Sequence, residues 1–309
     1  MSAEDFRRSL LDAGVLVDGG TAGVYHRSFG FERILRGLEA YVSAAGSDER
    51  LQQLYFPPVI ALSTLVGADY ISSFPDLMGI VTSFRGSDAE LAAFLQSVDA
   101  GGDWAGLLST DEVALCSATC HSVYPLLVGT SLPQDGRLYE VQAYCFRHEP
   151  SDDPARMQSF KMHEFVYVGS REGALEHREQ WVARGRALLE SLGLSIDVVP
   201  ANDPFFGRAG RLLGAGQREK ELKFELVAPI SSEVPGAIGS ANYHEDHFGE
   251  AYGITSPDGS RAHSACFAFG LERISLALLL KHGVNVSDWP HAVRERLTLT
   301  HDIRSSESH

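Results

Sequence analysis

Residues 137–168 constrain the fold more than any other stretch of this chain. RLYEVQAYCFRHE (137–149) and FKMHEFVYV (160–168) read as two long strands joined by an acidic, Pro-containing turn, PSDDPARMQS. A strand as long as the first is expected in the middle of a sheet, yet both strands carry charge. Side chains alternate along a strand, so Cys145, Arg147 and Glu149 share one face. Phe160, Met162 and Glu164 share a face of the return strand, and Arg156 sits in the connection. Two environments fit this set. One is a solvated hairpin laced with cross-strand ion pairs. The other is a wall of a nucleoside triphosphate pocket, with arginine for phosphate oxygens, a ring for the base and a carboxylate for a metal or an amine.

The rest of the chain extends this pattern. FERILRGLEAYVSAA (31–45) repeats apolar residues at helical spacing, and HREQWVARGRALLESLGL (177–194) predicts a helix ending near Gly193. ELAAFLQSV (90–98) is a short helix candidate, and EVALCSATCHSVYPLLVGTSLP (112–133) reads as strand, turn and buried segment. LKFELVAPI (222–230) and SANYHEDHF (240–248) are further strand candidates. SACFAFGLERISLALLLKHG (264–283) switches from strand to helix at Gly270 and stops at Gly283. Strands joined by hairpins, with few helices, predict an α+β fold around an antiparallel sheet rather than a βαβ ladder. No GxxxxGK[ST] loop is present and no GxGxxG follows a strand, so the usual nucleotide sites of parallel sheets are absent. Without repeats or a long linker, residues 1–309 are expected to form a single unit.

The switch at Gly270 places Arg273 in the first turn of a helix, where free N–H groups and the helix dipole already favour anions. That suits a polyphosphate, although an exposed arginine paired with Glu272 would read the same way. Charge argues against nucleic acid: 26 basic against 41 acidic residues give a net charge of −15, which repels phosphates in general. A basic segment, 205–223, stands out against this background with Arg208, Arg211, Arg218, Lys220 and Lys223. It is either a solvated element or a docking site for an acidic partner. The N-terminus lacks an apolar signal region, and no apolar run is long enough for a bilayer. Four cysteines in a chain of 309 residues make no disulfide framework, so a reducing cytoplasm is expected.

Taken together, Arg147-x-Glu149 with Arg156 and Phe160, followed by Gly270-x-x-Arg273, resemble the second and third motifs of class II aminoacyl-tRNA synthetases. YFPPVI, with Pro57 and Pro58, is similar to the Pro-bearing first motif that builds their dimer interface. More narrowly, SATCHSVYPLL, FRHEPSDDPARMQSFKMHEFV, SANYHEDHFG and SACFAFGLERI resemble the zinc-dependent seryl enzymes and their truncated relatives, the amino acid:[carrier protein] ligases.

The resemblance implies a class II synthetase-like antiparallel sheet flanked by helices. Residues 1–110 would form a helical, dimerising part, 111–285 the active-site core, and 205–223 an inserted helix that docks the carrier. It implies a Zn²⁺ ion on Cys120, Glu164 and Cys266, three protein donors with one position left for the substrate's amino group. On spacing alone these three read as unrelated core and strand positions. Two rival metal readings are weaker: Cys116, on one strand face with Cys120, reads as a buried small residue beside the ligand, and His244-x-x-His247 would point to opposite faces of a strand, since i and i+3 do so. The family assigns ATP contacts to Arg147, Glu149, Arg156, Phe160 and Arg273, with Arg147 and Arg273 catalytic. Glu225 is a candidate ligand for Mg²⁺. The implied reaction activates a small amino acid, glycine or alanine, with Met162, Tyr243 and Phe248 filling space near the site. It then passes the aminoacyl group to the phosphopantetheine thiol of an acidic carrier protein. About 110 residues precede the first expected catalytic strand, with no heptad pattern or basic tract that would serve as a tRNA arm, so no tRNA partner is expected. Alternatives are a true aminoacyl-tRNA synthetase, a non-catalytic paralogue acting as a binding module, and a zinc protein without ATP chemistry.

Overall fold

The computed structural model describes residues 2–204, 206–207, 214–218 and 220–300. Helix α1 (Ala3–Asp12) is capped by the Ser2 hydroxyl and leads into a small hairpin, β1 (Leu16–Thr21) and β2 (Val24–Arg27). Ser28 caps α2 (Phe29–Gly46), whose apolar stripe buries Phe31, Ile34, Leu35, Leu38 and Val42. Strand β3 (Leu51–Tyr55) follows. A three-stranded sheet of β4 (Val59–Ala61), β5 (Ile80–Ser83) and β6 (Ser109–Leu115) then forms in the order β4-β6-β5. Its connections carry α3 (Leu62–Gly67), α4 (Tyr70–Ser73) and α5 (Asp88–Asp99). Ser87 and Glu90 close a capping box at the start of α5.

The remaining elements are β7 (Arg137–Phe146), β8 (Ser159–Gly169), α6 (Arg171–Ser191), β9 (Asp197–Pro200), β10 (Lys223–Pro229), β11 (Pro235–Tyr243), α7 (His247–Tyr252), β12 (His263–Gly270), α8 (Leu271–His282) and α9 (His291–Arg296). Seven strands join in the order β3-β7-β8-β12-β11-β10-β9. All neighbours are antiparallel except β3 with β7. The expected antiparallel sheet is therefore a mixed one with a single parallel edge. Beside helices α1–α5, the first 110 residues also supply that edge strand, the β1–β2 hairpin and strands β4 and β5 of the small sheet.

The two faces of the large sheet divide its work. Phe165, Phe267 and Phe269 point to one side and pack with Trp181 of α6 and the apolar surfaces of α2 and α8. The Trp181 ring stacks on Phe165 at 3.8 Å between centroids. Each such buried ring contributes roughly 1.5–3 kcal/mol. The opposite side carries Phe160, Met162 and Glu164 of β8, as expected from alternation. Directly opposed residues in an antiparallel pair lie on the same face. The register aligns Glu225, Ser240, Ala268, Glu164 and Val141 across five strands. A second row aligns Lys223, Asn242, Cys266 and Val166.

Three boundaries differ from the sequence reading. The first strand of the hairpin ends at Phe146, not at residue 149. Arg147 keeps one backbone bond, its N–H to Gln158 O at 2.9 Å, but the Glu149 N–H turns back to Arg147 O. Their side chains are therefore presented by a turn rather than by alternation. The segment 240–248 is strand only to Tyr243, since His247 begins α7. Cys116 and Cys120 do not share a strand: β6 stops at Leu115, and Cys120 lies in a 3-10 turn, Thr119–Ser122.

Candidate active site

The polar face of the sheet floors a cavity of about 720 Å³, a size suited to a nucleotide-scale ligand. Eight of the sequence-predicted residues reach it: Arg147, Glu149, Phe160, Glu225 and Arg273 at one part, and Cys120, Glu164 and Cys266 at another. Lys220 also lines it. Arg156 does not line the cavity: its side chain is half exposed and its guanidinium donates to Glu149 at 3.1 Å. Arg218 is exposed and away from the lining, while Arg208 and Arg211 lie outside the described residues.

Arg273 is delivered by the strand-to-helix switch. Gly270 ends β12, and Arg273 falls in the first turn of α8. Its guanidinium donates to two backbone carbonyls, Ala155 O at 2.9 Å and Ala237 O at 3.1 Å. Carbonyls fix its direction without neutralising its charge. Burial, and then the like charge of Arg147, hold its pKa below the usual arginine value. Arg147 lies over the Phe160 ring, 5.5 Å from its centroid, so a cation and an aromatic face sit side by side. Two guanidiniums that repel each other across one cavity are poised for a polyanion.

The alternative reading, an exposed Arg273 paired with Glu272, is not what forms. Glu272 points the other way and is 2% exposed. One of its oxygens accepts from Arg27 and the other from the Lys161 backbone N–H at 2.7 Å. β12 has ended there, so the carboxylate satisfies a strand N–H that has no strand partner. Burial pushes the Glu272 carboxyl up to about 7.

Cys120, Glu164 and Cys266 offer donor atoms that all lie within 4.8 Å of one another, and all three are buried. Among the described residues this is the group of three His, Cys, Asp or Glu side chains so arranged. Their assembly is local as well as long-range. Glu164 Oε1 accepts from the backbone N–H groups of Thr119 (2.7 Å) and Cys120 (3.2 Å), which pins the 3-10 turn over β8. Glu164 Oε2 is buried with no hydrogen-bond partner. Such an orphaned oxygen is costly unless something else binds it. The Cys120 thiol is pushed well up by its hydrogen bond with Cys266 and by burial. Burial raises the Glu164 carboxyl. The Cys266 thiol is also raised, because burial and Glu164 outweigh its contact with Cys120. Two thiols and a carboxylate converging in a buried site match the donor preferences of zinc.

Neither rival metal reading assembles. Cys116 Sγ lies 3.9 Å from Cys145 Sγ, away from the cluster, and both are buried thiols in the core. His244 and His247 both pack against the Phe248 ring, and His244 turns inward. His244 Nε2 comes within 3.6 Å of Cys266 Sγ while Nδ1 lies 3.0 Å from Ser264 Oγ. Burial holds His244 down to about 3, so it stays neutral beside the cluster. Asn242 Nδ2 also donates to Cys266 Sγ, at 3.6 Å. This contact supports the thiol as a second-layer partner supports a metal ligand.

Tyr70, His121, Asp203 and Asn242 were missed by sequence reasoning. Asp203 accepts from Lys223 at 2.5 Å and from Gln217 at 2.8 Å, joining β10 to the segment that begins the basic stretch. Tyr70 and His121 close the cavity beside Phe248. Only Asn242 left a usable trace, since an Asn on a strand otherwise made of small and aromatic residues signals a polar task.

The fold is that of the class II synthetases. A seryl-tRNA synthetase of M. kandleri, solved with a tRNASec of A. aeolicus, superposes with a TM-score of 0.78 at 20% identity, covering 96% of this chain and 60% of that one. No protein-family model matches the chain. Two proteins of Bradyrhizobium diazoefficiens, amino acid–[acyl-carrier-protein] ligases 1 and 2, are each 40% identical. The first aligns over 282 residues, 91% of this chain and 86% of its own length; the second over 291, 94% and 87%. The chain belongs to the amino acid–[acyl-carrier-protein] ligase family. No helix among the described residues is long and apolar enough to cross a membrane.

Proposed function

We propose that the protein activates a small amino acid with ATP and transfers it to the phosphopantetheine thiol of a carrier protein. The observation that carries this reading is the joint lining of one cavity by Arg147, Phe160 and Arg273 and by the Cys120, Glu164 and Cys266 cluster. Adenine would lie on Phe160, with Glu149 at its amino edge. Arg147 would hold the α-phosphate and Arg273 the γ-phosphate. Arg156, held on Glu149 and off the cavity wall, would have to swing to reach the phosphate tail. Glu225 is the candidate carboxylate for a Mg²⁺ ion, although its neighbour Lys223, 3.3 Å away, already shares its charge.

The substrate carboxylate attacks the α-phosphorus of ATP, the bond to the bridging oxygen breaks, and pyrophosphate leaves. An aminoacyl-adenylate remains. Phosphoryl chemistry of this kind needs positioning and charge stabilisation more than a protein nucleophile. The carrier thiol, losing its proton, then attacks the carbonyl and AMP leaves, giving a thioester. A zinc ion held by Cys120, Glu164 and Cys266 would supply a Lewis-acid site for the substrate's amine. Met162, Tyr243 and Phe248 line the same cavity and favour glycine or alanine over larger side chains, though one methylene discriminates by only ~1–3 kcal/mol.

ATP–pyrophosphate exchange across the amino acids tests this directly. Best exchange with glycine or alanine, followed by loading of a phosphopantetheinylated carrier, is the expected result. Efficient tRNA charging with no carrier loaded would overturn the acceptor, and serine as best substrate would overturn the specificity. Carrier docking falls to 205–223, where Lys220 already pairs with Glu245 at 3.2 Å. Changing Arg211 and Arg218 to Glu should slow transfer by about tenfold through weaker encounter, with adenylation little changed. Equal transfer rates would remove the docking role.

A homodimer and a cytoplasmic location complete the reading. β3 is an edge strand that ends in exposed Tyr55, two residues before Pro57 and Pro58, and Phe29 at the start of α2 is 88% exposed; exposed rings of this kind suit a pairing surface. Light scattering at micromolar concentration should report twice the chain mass; a monomer would contradict this.

A further inference from the structure

The nucleotide reading leaves the β1–β2 hairpin without a role, yet the hairpin touches the loop between β7 and β8 at several independent points. The Gln158 backbone N–H donates to Gly23 O at 2.9 Å, and its side-chain amide donates to Ala22 O at 2.8 Å. The Tyr25 hydroxyl donates to Asp152 O at 2.9 Å, at the far side of the same loop. That hydroxyl is itself held by Arg7 Nε of α1, 2.9 Å away, and Arg7 also pairs with Asp18 of β1 at 2.7 Å. Gly23 has φ +76°, and a Cβ there would stand 3.0 Å from Arg156 O and from Gln158 Cγ. The tip of the hairpin is therefore pressed against the loop backbone as closely as glycine allows.

A second line of contact runs from the base of the hairpin to the other phosphate arginine. Arg27, the last residue of β2, spreads its guanidinium over three partners: Glu32 (2.8 Å), the Tyr144 hydroxyl (2.8 Å) and Glu272. Glu272 precedes Arg273 and accepts the backbone N–H of Lys161, which follows Phe160. Arg273 in turn donates to Ala155 O within the loop. The hairpin thus grips the loop at its tip and the start of α8 at its base, and those two elements carry Arg147 and Arg273.

We propose that the β1–β2 hairpin is part of the nucleotide site, a brace that holds the 147–158 loop where ATP needs it, with Tyr25 and Arg27 as positioning residues. The inference rests on the ATP reading above. Neither residue touches the substrate. Arg27 acts through the Glu272 carboxylate, next to Arg273, and Tyr25 through the Asp152 carbonyl within the loop that follows Arg147. Past the end of β7, the Arg147 N–H is held by Gln158 O and the His148 N–H by Leu77 O. Gln158, which holds Arg147, is itself bonded twice to the hairpin, at Gly23 O and Ala22 O.

The test is Tyr25→Phe, which keeps the ring and removes one hydroxyl, beside Arg27→Lys, which keeps the charge and loses the fork. Exchange of pyrophosphate is measured against ATP and against the amino acid separately. KM for ATP should rise about 2- to 10-fold in each variant, the effect of one or two hydrogen bonds. KM for the amino acid and the thermal midpoint should hold. Amide hydrogen exchange over 149–157 should quicken in both variants before any nucleotide is added. An unchanged KM for ATP in both variants overturns the proposal. So does a parallel rise in both KM values with a lowered thermal midpoint, which would mark a merely structural hairpin. No pyrophosphate exchange by the wild-type enzyme would bring down the ATP reading and this proposal together, whereas normal wild-type exchange with unaltered variants brings down this proposal alone.

Discussion

Replacing Arg147 or Arg273 by alanine is expected to cut ATP–pyrophosphate exchange by on the order of 10²-fold or more, because each would stabilise charge that develops on the transferring phosphate. The two variants should fail differently. Arg273 donates to Ala155 O and Ala237 O, so its loss also frees the loop and the start of β11. Beside its contact with the Phe160 ring, the Arg147 guanidinium makes one long hydrogen bond, Nε to Ser117 O at 3.5 Å, so its loss frees no backbone segment as that of Arg273 does. Arg147→Ala should therefore keep the thermal midpoint of the parent, while Arg273→Ala should lower it modestly. Circular dichroism and a melting curve separate lost chemistry from lost fold. Near wild-type exchange in either variant would remove that residue from the phosphate site.

Removal of a thiol from the Cys120, Glu164 and Cys266 cluster should have an equally large effect on metal content. The purified parent is expected to hold about one zinc per chain, and Cys266→Ala to hold far less, since two remaining donors make a poor zinc site. Cys120→Ala should behave alike. Glu164→Gln is the more informative variant. Its amide can still accept from the Thr119 and Cys120 N–H groups, so the turn stays, but the buried Oε2 of the native carboxylate is gone. Zinc should fall while the fold holds. Because both thiols and the carboxyl are raised towards their protonated forms, metal uptake releases protons and weakens as pH falls. Full zinc retention in both Cys120→Ala and Cys266→Ala would sink the assignment.

What could be read from the sequence depended on how local each feature is. The Gly270 switch was legible because a two-residue period gives way to a helical one at a glycine, and the structure breaks there. Alternation placed Phe160, Met162 and Glu164 on one face without knowledge of neighbours. Arg147 and Glu149 defeated the same argument, because β7 ends at Phe146 where its partner strand runs out of pairing. β3 was invisible for another reason. LQQLY is five residues with no clear alternation, and its parallel pairing with β7 spans more than eighty residues of chain. Asp203, in a loop, and Tyr70, at the start of the four-residue helix α4, reach the cavity from segments whose placement follows from tertiary packing. The likeness to a known family supplied what geometry could not, joining Cys120, Glu164 and Cys266 across nearly half the chain.

The alignment of five strands has a bearing on how such a protein could change over generations. Along the strands that carry the chemistry, site residues alternate with residues of the hydrophobic layer, Glu164 with Phe165 and Cys266 with Phe267. Point substitutions on the chemical side can retune the substrate while the packing beneath stays intact, so new specificities are reachable by single steps. Insertions and deletions have no such freedom. One residue lost from β8 or β12 would turn phenylalanines into the cavity and carboxylate and thiol into the core at a stroke. Lineages of this sheet should therefore drift freely in side chain and hardly at all in strand length, with gaps accumulating in the loops around it.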